Sequence, residues 1–216
     1  MIVSIVACGE SAKHWFNTRC DISIGVNDCV KFGHEVDWLV VVNSPLKFKG
    51  GRLQTITRSK PKRFLCHNSN WNAHFPNTEL LTLKPFSGSV LKDRVYKSMT
   101  SPFVAITLAF NAGATDIILF GIDFLNHPNV KDKLLKSELK EYKRLFDSLE
   151  SKGVKVWLGN DQTVLKEYLP VWVDDIDKPR YEPCYFDETY PGQPLDEQVK
   201  RIQDALDKEL KRRNGN

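Results

Sequence analysis

The chain has 216 residues, of which 41% are hydrophobic and 27% are charged, and its formal net charge is +4. This length supports one core of ordinary size and argues against a second full domain. The composition is typical of a soluble globular protein. Apolar runs such as WLVVV and IILFGI are far too short to span a bilayer, so we expect no transmembrane segment.

The N-terminus and the cysteines predict a cytoplasmic protein. The opening residues MIVSIVACGE have no basic region before the apolar run, so we expect no signal peptide. The five cysteines are odd in number and show no CxxC spacing, which predicts reduced thiols inside a cell. The same pattern argues against a structural zinc site, and we expect neither a bound metal nor a cofactor.

Short apolar runs rich in β-branched residues recur along the chain and predict strands. They are IVSIVA (2–7), ISIGV (22–26), DWLVVV (37–42), RFLC (63–66), DIILFGI (116–122) and VKVWL (154–158). The first helix, from about Ser11, should be short. FVAITLAFNAG and KDKLLKSELKEYKRLFDSLESKG have the spacing of longer helices, the second with a glycine stop.

Continuous apolar strands that alternate with helices predict a parallel sheet covered on both faces. The predicted fold class is α/β, with a Rossmann-like, doubly wound and mostly parallel sheet in a single domain that carries a C-terminal extension. We expect the domain to occupy residues 1–170 and the extension residues 171–216. The extension combines a proline-containing extended segment with an amphipathic helix, which would pack against the body or against another subunit of a homo-oligomer.

Five predicted strands are followed by short polar side chains or by a glycine turn. These residues are Gly9 and Ser11, Asn27 and Asp28, Asn43 and Ser44, Asp123, Asn126 and His127, and Asn160 and Asp161. Ligands of open parallel α/β sheets bind outside the carboxyl ends of the strands, where the strand order reverses. One polar strand end is routine in a turn, but five at one edge predict a ligand crevice. Asparagine suits this role because it donates and accepts hydrogen bonds at once.

Two helix starts are candidate anion sites. The turn CGES after the first strand opens a helix whose free N–H groups favour a phosphate, although its single glycine matches neither the GxGxxG nor the P-loop motif. Ser101 and Pro102 have the order of an N-cap followed by an N1 proline. That structural role and a second anion site are both open interpretations of this helix start.

Together these motifs resemble the bacterial sialyltransferases of glycosyltransferase family 42 and the related superfamily of MptE-like proteins and motility accessory factors. The family has a Thr-Ser-Gly block, an apolar helix and a strand ending in Gly-Ile-Asp-Phe, and MTSPFVAITLAFNAGATDIILFGIDF is similar nearly element by element. Asn27 and Asn43 stand where the family has nucleotide-contacting asparagines, and Asn160 where it has an Asn-Ser helix start. The resemblance covers roughly residues 1–170.

The resemblance implies a transferase that binds a nucleotide or nucleotide-sugar without a metal and glycosylates a hydroxyl acceptor. Carried over to this chain, Gly9 and Ser11 would approach the phosphate, and Asn27 and Asn43 would contact the ribose and base. Thr100 and Ser101 would face the donor, and Asn160 would complete the nucleotide site.

The chain also departs from the family pattern. Cys8 and Glu10 replace an Asn and a Pro in the first turn, and Pro102 replaces a Gly after Thr-Ser. The segment LNHPNVKDK is short where sialyltransferases have a lid with phosphate-binding tyrosines, and the family's catalytic His would fall near Lys136 or Ser137. These differences argue against a sialic acid donor.

His127 is the best candidate for a general base, since it follows the carboxyl end of the predicted strand at 116–122. Asp123 is the second predicted catalytic residue and could orient a substrate hydroxyl or the imidazole. His67 and His74 are second-choice bases.

Two alternatives to a glycosyltransferase remain open. An MptE-like diphosphotransferase would use a nucleoside triphosphate with Mg²⁺, for which Asp28, Asp123 and Asp161 are candidate ligands. The basic segment 47–63 could grip an anionic or nucleic-acid acceptor. It could also make the chain a nucleic-acid-binding module on a degenerate transferase fold, since residues 44–78 contain seven Lys or Arg and no acid.

Overall fold

The computed structural model describes residues 1–124 and 132–173, except for the side chains of residues 16, 17, 132 and 133. The strands in chain order are β1 (Ile2–Val6), β2 (Ile22–Val26), β3 (Trp38–Val41), β4 (Arg63–Cys66), β5 (Thr78–Leu80), β6 (Leu83–Pro85), β7 (Val95–Lys97), β8 (Asp116–Phe120) and β9 (Lys155–Leu158). The main sheet has seven strands in the order β5-β4-β3-β2-β1-β8-β9. All of its pairings are parallel, and β6 and β7 form a separate parallel pair.

The helices alternate with these strands. The α-helices are α1 (Arg52–Arg58), α2 (Ser101–Asn111) and α3 (Asp132–Glu150), and 3₁₀ helices cover Glu10–Asn17, Cys29–Phe32, Pro45–Lys47, Ser69–Ala73 and Val164–Glu167. The short helix expected from about Ser11 is thus a 3₁₀ helix. α2 begins one residue earlier than predicted, because Thr100 has the extended backbone of the N-cap residue and Pro102 fits the first helical turn.

Successive residues of a strand point to opposite faces of the sheet, and other elements cover both faces. One face packs against Phe103 and Ile106 of α2 and Tyr142 of α3. The other packs against Ile56 of α1 and Trp71 of a 3₁₀ helix. The predicted α/β class with a doubly wound, Rossmann-like parallel sheet is therefore confirmed. Within the described residues, no helix is both long and apolar enough to cross a membrane.

The strand order reverses at β1. The chain moves outward from β1 to β5 and then returns to place β8 on the free side of β1. Ile5 of β1 therefore lies between Ile24 of β2 and Leu119 of β8. Because all these strands are parallel, the ends of β1 and β8 form the edge at which ligands of such sheets bind.

Three strands were not predicted. β5, β6 and β7 have only three residues each, too few to show the alternation that identifies a strand. Asn126, His127 and nearly all of the predicted extension, residues 171–216, lie outside the described residues. Their predicted roles stay predictions.

Acid should destabilise the protein through His34, which is 3% exposed and lies with its Nε2 2.9 Å from the Ala12 carbonyl oxygen. Burial lowers the pKa of His34, although the hydrogen bond to Ala12 opposes this effect. The unfolded chain then binds a proton more readily than the native one, so stability falls as the pH drops below about 6.5. We expect a lower melting temperature at pH 5 than at pH 7, and a smaller difference in His34→Gln.

Other groups also titrate in this range, so a second histidine is needed for comparison. His14 is exposed in the same 3₁₀ helix that supplies Ala12. His14→Gln should keep the wild-type pH dependence of the melting temperature. An unchanged pH dependence in His34→Gln would contradict the assignment of this effect to His34.

Candidate functional site at the carboxyl edge of the sheet

Ser11 and Asp123 join the ends of β1 and β8. The carboxylate of Asp123 accepts a hydrogen bond from the Ser11 backbone N–H at 3.1 Å and another from the Ser11 hydroxyl. The Ser11 hydroxyl oxygen in turn accepts the N–H of Gly121 at 2.9 Å. The structure therefore brings together two of the predicted site residues, and it does so at the point where the strand order reverses.

Gly9 permits this close approach. Its N–H donates to the Gly121 carbonyl oxygen at 2.9 Å, and a Cβ at position 9 would lie 2.7 Å from that oxygen and even closer to the Asp123 carboxylate. The N–H groups of Gly9 and Ser11 are thus used inside the protein. The negative charge at this helix start is the carboxylate of Asp123.

Asn160 adds the end of β9 to the same edge. Its side-chain Nδ2 donates to the Ser11 carbonyl oxygen at 3.1 Å, and its Oδ1 accepts the N–H of Gln162 at 2.9 Å. These two bonds hold the amide against the first turn. Ser11, Asp123 and Asn160 therefore form one hydrogen-bonded group.

Asn27 follows β2 in a left-handed conformation, with φ of 53°. Asparagine tolerates this conformation better than most residues. Its backbone N–H donates to the Val40 carbonyl oxygen at 3.0 Å, but its buried Oδ1 has no hydrogen-bond partner within the described residues. An unpaired buried amide oxygen costs about 1–3 kcal/mol, so it marks a position where a ligand donor would be stabilising.

Asn43 follows β3 and is exposed. Its carbonyl oxygen accepts the indole N–H of the fully buried Trp71 at 2.8 Å, which fixes the backbone at this strand end. The side chain of Asn43 is thus presented to solvent from a fixed position.

Asp28 and Arg52 form an ion pair that sequence reasoning missed. The guanidinium of Arg52 donates to Asp28 Oδ1 at 2.5 Å, and Asp28 is only 5% exposed. Burial alone would raise the pKa of Asp28, but the hydrogen bond and the charge of Arg52 outweigh it and hold that pKa below its usual value. Asp28 is therefore a buried carboxylate that depends on Arg52.

Cys8 lies against the same pair. Its thiol donates to the Val26 carbonyl oxygen at 3.2 Å, and Sγ is 3.5 Å from Asp28 Oδ1. Burial and then the negative charge of Asp28 raise the pKa of the Cys8 thiol well above its usual value. Cys8 is thus a protonated thiol, and a thiolate nucleophile is not expected here.

Thr100 and Ser101 stand at the start of α2, where Glu138 supplies the negative charge. Glu138 comes from α3 and is 1% exposed. Its Oε1 accepts the N–H of Thr100 at 3.1 Å and the Thr100 hydroxyl at 2.9 Å, while its Oε2 accepts the Ser98 hydroxyl at 2.5 Å and the Met99 N–H at 3.3 Å. The Thr100 hydroxyl is also 2.8 Å from the Tyr142 hydroxyl.

Glu138 was not predicted, although the sequence contains a signal for it. The buried stripe of α3 consists of Leu135, Tyr142, Leu145 and Leu149, and Glu138 falls on this stripe at helical spacing. A charged residue on an apolar stripe needs a buried partner. The start of α2, which the sequence left open as an anion site, provides that partner.

The second-choice bases lie farther from the switch point. His67 and His74 follow β4, which is three strands from β1, or about 14 Å at the usual strand spacing. His67 Nδ1 lies 3.0 Å from the Leu81 carbonyl oxygen, and the ring of His74 packs edge-on against Trp71.

The proposed cation ligands do not form a cluster in the structure. Asp28 is paired with Arg52, the Asp123 carboxylate is bound to Ser11, and Asp161 is exposed. No group of three or more His, Cys, Asp or Glu residues in 1–124 and 132–173 could hold a metal ion.

The basic segment 47–63 is not a continuous cationic surface. Three of its basic residues form ion pairs, which are Arg52 with Asp28 at 2.5 Å, Lys62 with Asp37 at 2.7 Å and Arg63 with Glu79 at 2.6 Å. These side chains contribute less free positive charge than the sequence indicates. The observation weakens the nucleic-acid alternative.

The fold and this edge define a Rossmann-like α/β structure with a hydrogen-bonded group of polar residues at its topological switch point. No protein-family model matches the chain, and no curated protein is similar to it in sequence. Among solved structures, the sialyltransferase CstII from Campylobacter jejuni in complex with CMP-3FNeuAc is similar with a TM-score of 0.51 and 15% sequence identity, over 79% of this chain and 84% of that one.

Two further structures of this sialyltransferase are similar. The complex of the Campylobacter jejuni CstII with cytidine-5'-monophosphate has a TM-score of 0.51, with 16% identity over 79% of this chain and 84% of the other. CST-II in complex with a trisaccharide acceptor and CMP has a TM-score of 0.50, with 16% identity over 79% and 86%. The chain therefore has a sialyltransferase-like fold of the glycosyltransferase family 42 type, as its sequence motifs predicted.

Proposed function

We propose that the protein is a glycosyltransferase that binds a nucleotide-activated sugar at the ends of β1, β2, β3 and β8 and transfers the sugar to a hydroxyl acceptor. The observation that carries this proposal is the buried Oδ1 of Asn27 beside the switch point, which has no hydrogen-bond partner in residues 1–124 and 132–173. The left-handed backbone holds this amide in place, which is the preorganisation that a specific polar contact requires.

In this proposal Asn27 and Asn43 contact the base and the ribose. Gly9, Ser11 and Asn160 form the floor of the site below the phosphate, and Thr100 and Ser101 border the donor. The Ser11–Asp123 hydrogen bonds keep that floor rigid. The fold is similar to that of a sialyltransferase solved with CMP and with CMP-3FNeuAc, which supports a nucleoside monophosphate as the first ligand to test.

The reaction needs a base for the acceptor hydroxyl. The acceptor oxygen forms a bond to the anomeric carbon of the sugar, the bond from that carbon to the phosphate oxygen breaks, and the nucleotide leaves with the electron pair. His127 is our candidate to take the acceptor proton. Asp123 accepts hydrogen bonds from Ser11 with its carboxylate, so it suits an orienting role better than proton abstraction.

A panel of nucleotides and nucleotide-sugars tests the proposal through the melting temperature, because a ligand that binds only the native state must raise it. We expect at least one nucleotide or nucleotide-sugar to bind in the presence of EDTA. A requirement for Mg²⁺ with a nucleoside triphosphate would favour the diphosphotransferase. Salt-sensitive nucleic-acid binding without any small-ligand effect would favour the nucleic-acid module.

Asn27→Gly should weaken the binding of that nucleotide about tenfold, the loss expected for one hydrogen bond of about 1.4 kcal/mol. Glycine accepts the positive φ of 53° at no steric cost, and loss of the unpaired oxygen offsets its larger loss of backbone entropy, so the melting temperature without ligand should not fall. Calorimetric titration measures the affinity. Unchanged affinity in Asn27→Gly would refute the role given to this amide.

A further inference from the structure

We propose that Arg52 is the cation that binds the phosphate of the nucleotide, and that Asp28 holds it in position for this task. This inference rests on the proposed function and adds a ligand-binding residue to the site. Arg52 belongs to neither the Thr-Ser block nor the strand ends that the sequence indicated.

The need for such a cation follows from the two predicted anion sites. The start of the Glu10–Asn17 helix is bonded to the carboxylate of Asp123. Just before α2, the N–H groups of Met99 and Thr100 are bonded to the carboxylate of Glu138. Both helix starts therefore already have a carboxylate beside them, and a phosphate at this edge requires hydrogen-bond donors from another residue.

Arg52 has free donors. Its only side-chain hydrogen bond within the described residues is from Nη2 to Asp28 Oδ1 at 2.5 Å, which uses one of the five N–H groups of a guanidinium. The Arg52 side chain is 40% exposed, whereas the Asp28 side chain is 7% exposed. The carboxylate of Asp28 thus holds the guanidinium from the protein interior, while the rest of the Arg52 side chain is open to solvent.

The position of Arg52 matches the proposed nucleotide site. It is the first residue of α1, which follows the end of β3, and its partner Asp28 directly follows Asn27. The Phe48 ring lies 5.1 Å from the guanidinium carbon and limits its movement further. A planar guanidinium held on one side is well suited to bind a phosphate through two parallel hydrogen bonds.

Arg63 is a matched control. Its side chain is 41% exposed, it is paired with Glu79, and its guanidinium carbon lies 4.2 Å from the Trp38 ring centroid. It begins β4, so it lies at the amino ends of the parallel strands, and the proposed site lies at their carboxyl ends. Arg63→Gln removes a similar arginine from outside the proposed site.

The test compares the binding of CMP, cytidine and inorganic pyrophosphate to the wild type, Arg52→Gln and Arg63→Gln by calorimetry. Arg52→Gln should weaken CMP binding at least tenfold and leave cytidine binding unchanged, since cytidine lacks the phosphate. Arg63→Gln should change neither. The double variant Asp28→Asn with Arg52→Gln leaves no unpaired buried carboxylate, so it repeats the test if the single variant does not fold.

The outcomes separate this inference from the proposed function. If Arg52→Gln binds CMP like the wild type, or loses CMP and cytidine equally, Arg52 is not the phosphate ligand and nucleotide binding still stands. If the wild type binds pyrophosphate through Arg52 but neither CMP nor cytidine, the anion site stands and a cytidine nucleotide is ruled out as its ligand. If none of the three ligands binds, the phosphate role of Arg52 is wrong, and the panel of nucleotides and nucleotide-sugars decides the proposed function separately.

Discussion

Replacing Glu138 with alanine should lower the free energy of unfolding by about 3 kcal/mol, because a buried acceptor disappears and its donors lose their partner. The carboxylate accepts hydrogen bonds from Ser98, Met99 and Thr100 and is 1% exposed. For a chain of this size the melting temperature should fall by about 6–12 °C, measured by circular dichroism or calorimetry. Glu138 thus anchors the start of α2 to α3.

Two further variants test whether the loss of stability comes from the carboxylate of Glu138 itself. Glu138→Gln keeps the side-chain volume but places an amide donor against backbone donors, so it should also destabilise. Glu141 lies on the same helix, where its half-exposed side chain pairs with Arg144 at 2.9 Å, and Glu141→Ala should cost no more than about 0.5 kcal/mol. A Glu138→Gln variant as stable as the wild type would disprove the anchoring role.

Gly121→Ala should destabilise the protein by about 3 kcal/mol and weaken nucleotide binding as well. Gly121 has φ of +70°, and a Cβ there would lie 2.7 Å from the Ala7 carbonyl oxygen. The left-handed backbone costs about 1–2 kcal/mol for alanine, and the steric overlap with the β1 backbone adds a similar amount. The overlap would push the ends of β1 and β8 apart, where Ser11 and Asp123 meet.

Gly153 is the control for this substitution. It has φ of +77°, and a Cβ there would meet nothing within 4 Å. Gly153→Ala should therefore show the backbone cost alone and leave ligand binding intact. Equal losses of stability in the two variants, measured by urea unfolding, would contradict the steric argument for Gly121.

The sheet was largely predictable because its strands are buried on both faces. The runs at 22–26 and 63–66 coincide with β2 and β4, since nothing polar interrupts a fully covered strand. The polar strand ends also followed from the sequence, and the structure brings Ser11, Asp123 and Asn160 together. Local sequence patterns thus predict which residues are buried and where each strand ends.

The interactions that decide the chemistry of the edge were not predictable from local patterns. Asp123 and Glu138 accept hydrogen bonds from partners that are 112 and 38–40 residues away in the chain. Arg52 pairs with a carboxylate 24 residues away, and one arginine among several basic residues gives no indication of this. Such pairs depend on the order of strands in the sheet, which spacing along the chain does not specify.

The reversal of strand order at β1 also governs how the molecule assembles. β1 pairs on one side with β2, which follows it by about 20 residues. Its other side stays unpaired until β8 has been synthesised, more than 100 residues after β1. Loop closure over such a distance is slow, and an unpaired central strand is prone to pair wrongly in the meantime. Ser11 and Asp123 thus meet only after β8 has joined the sheet, so the N-terminal half of the chain cannot by itself form the complete site.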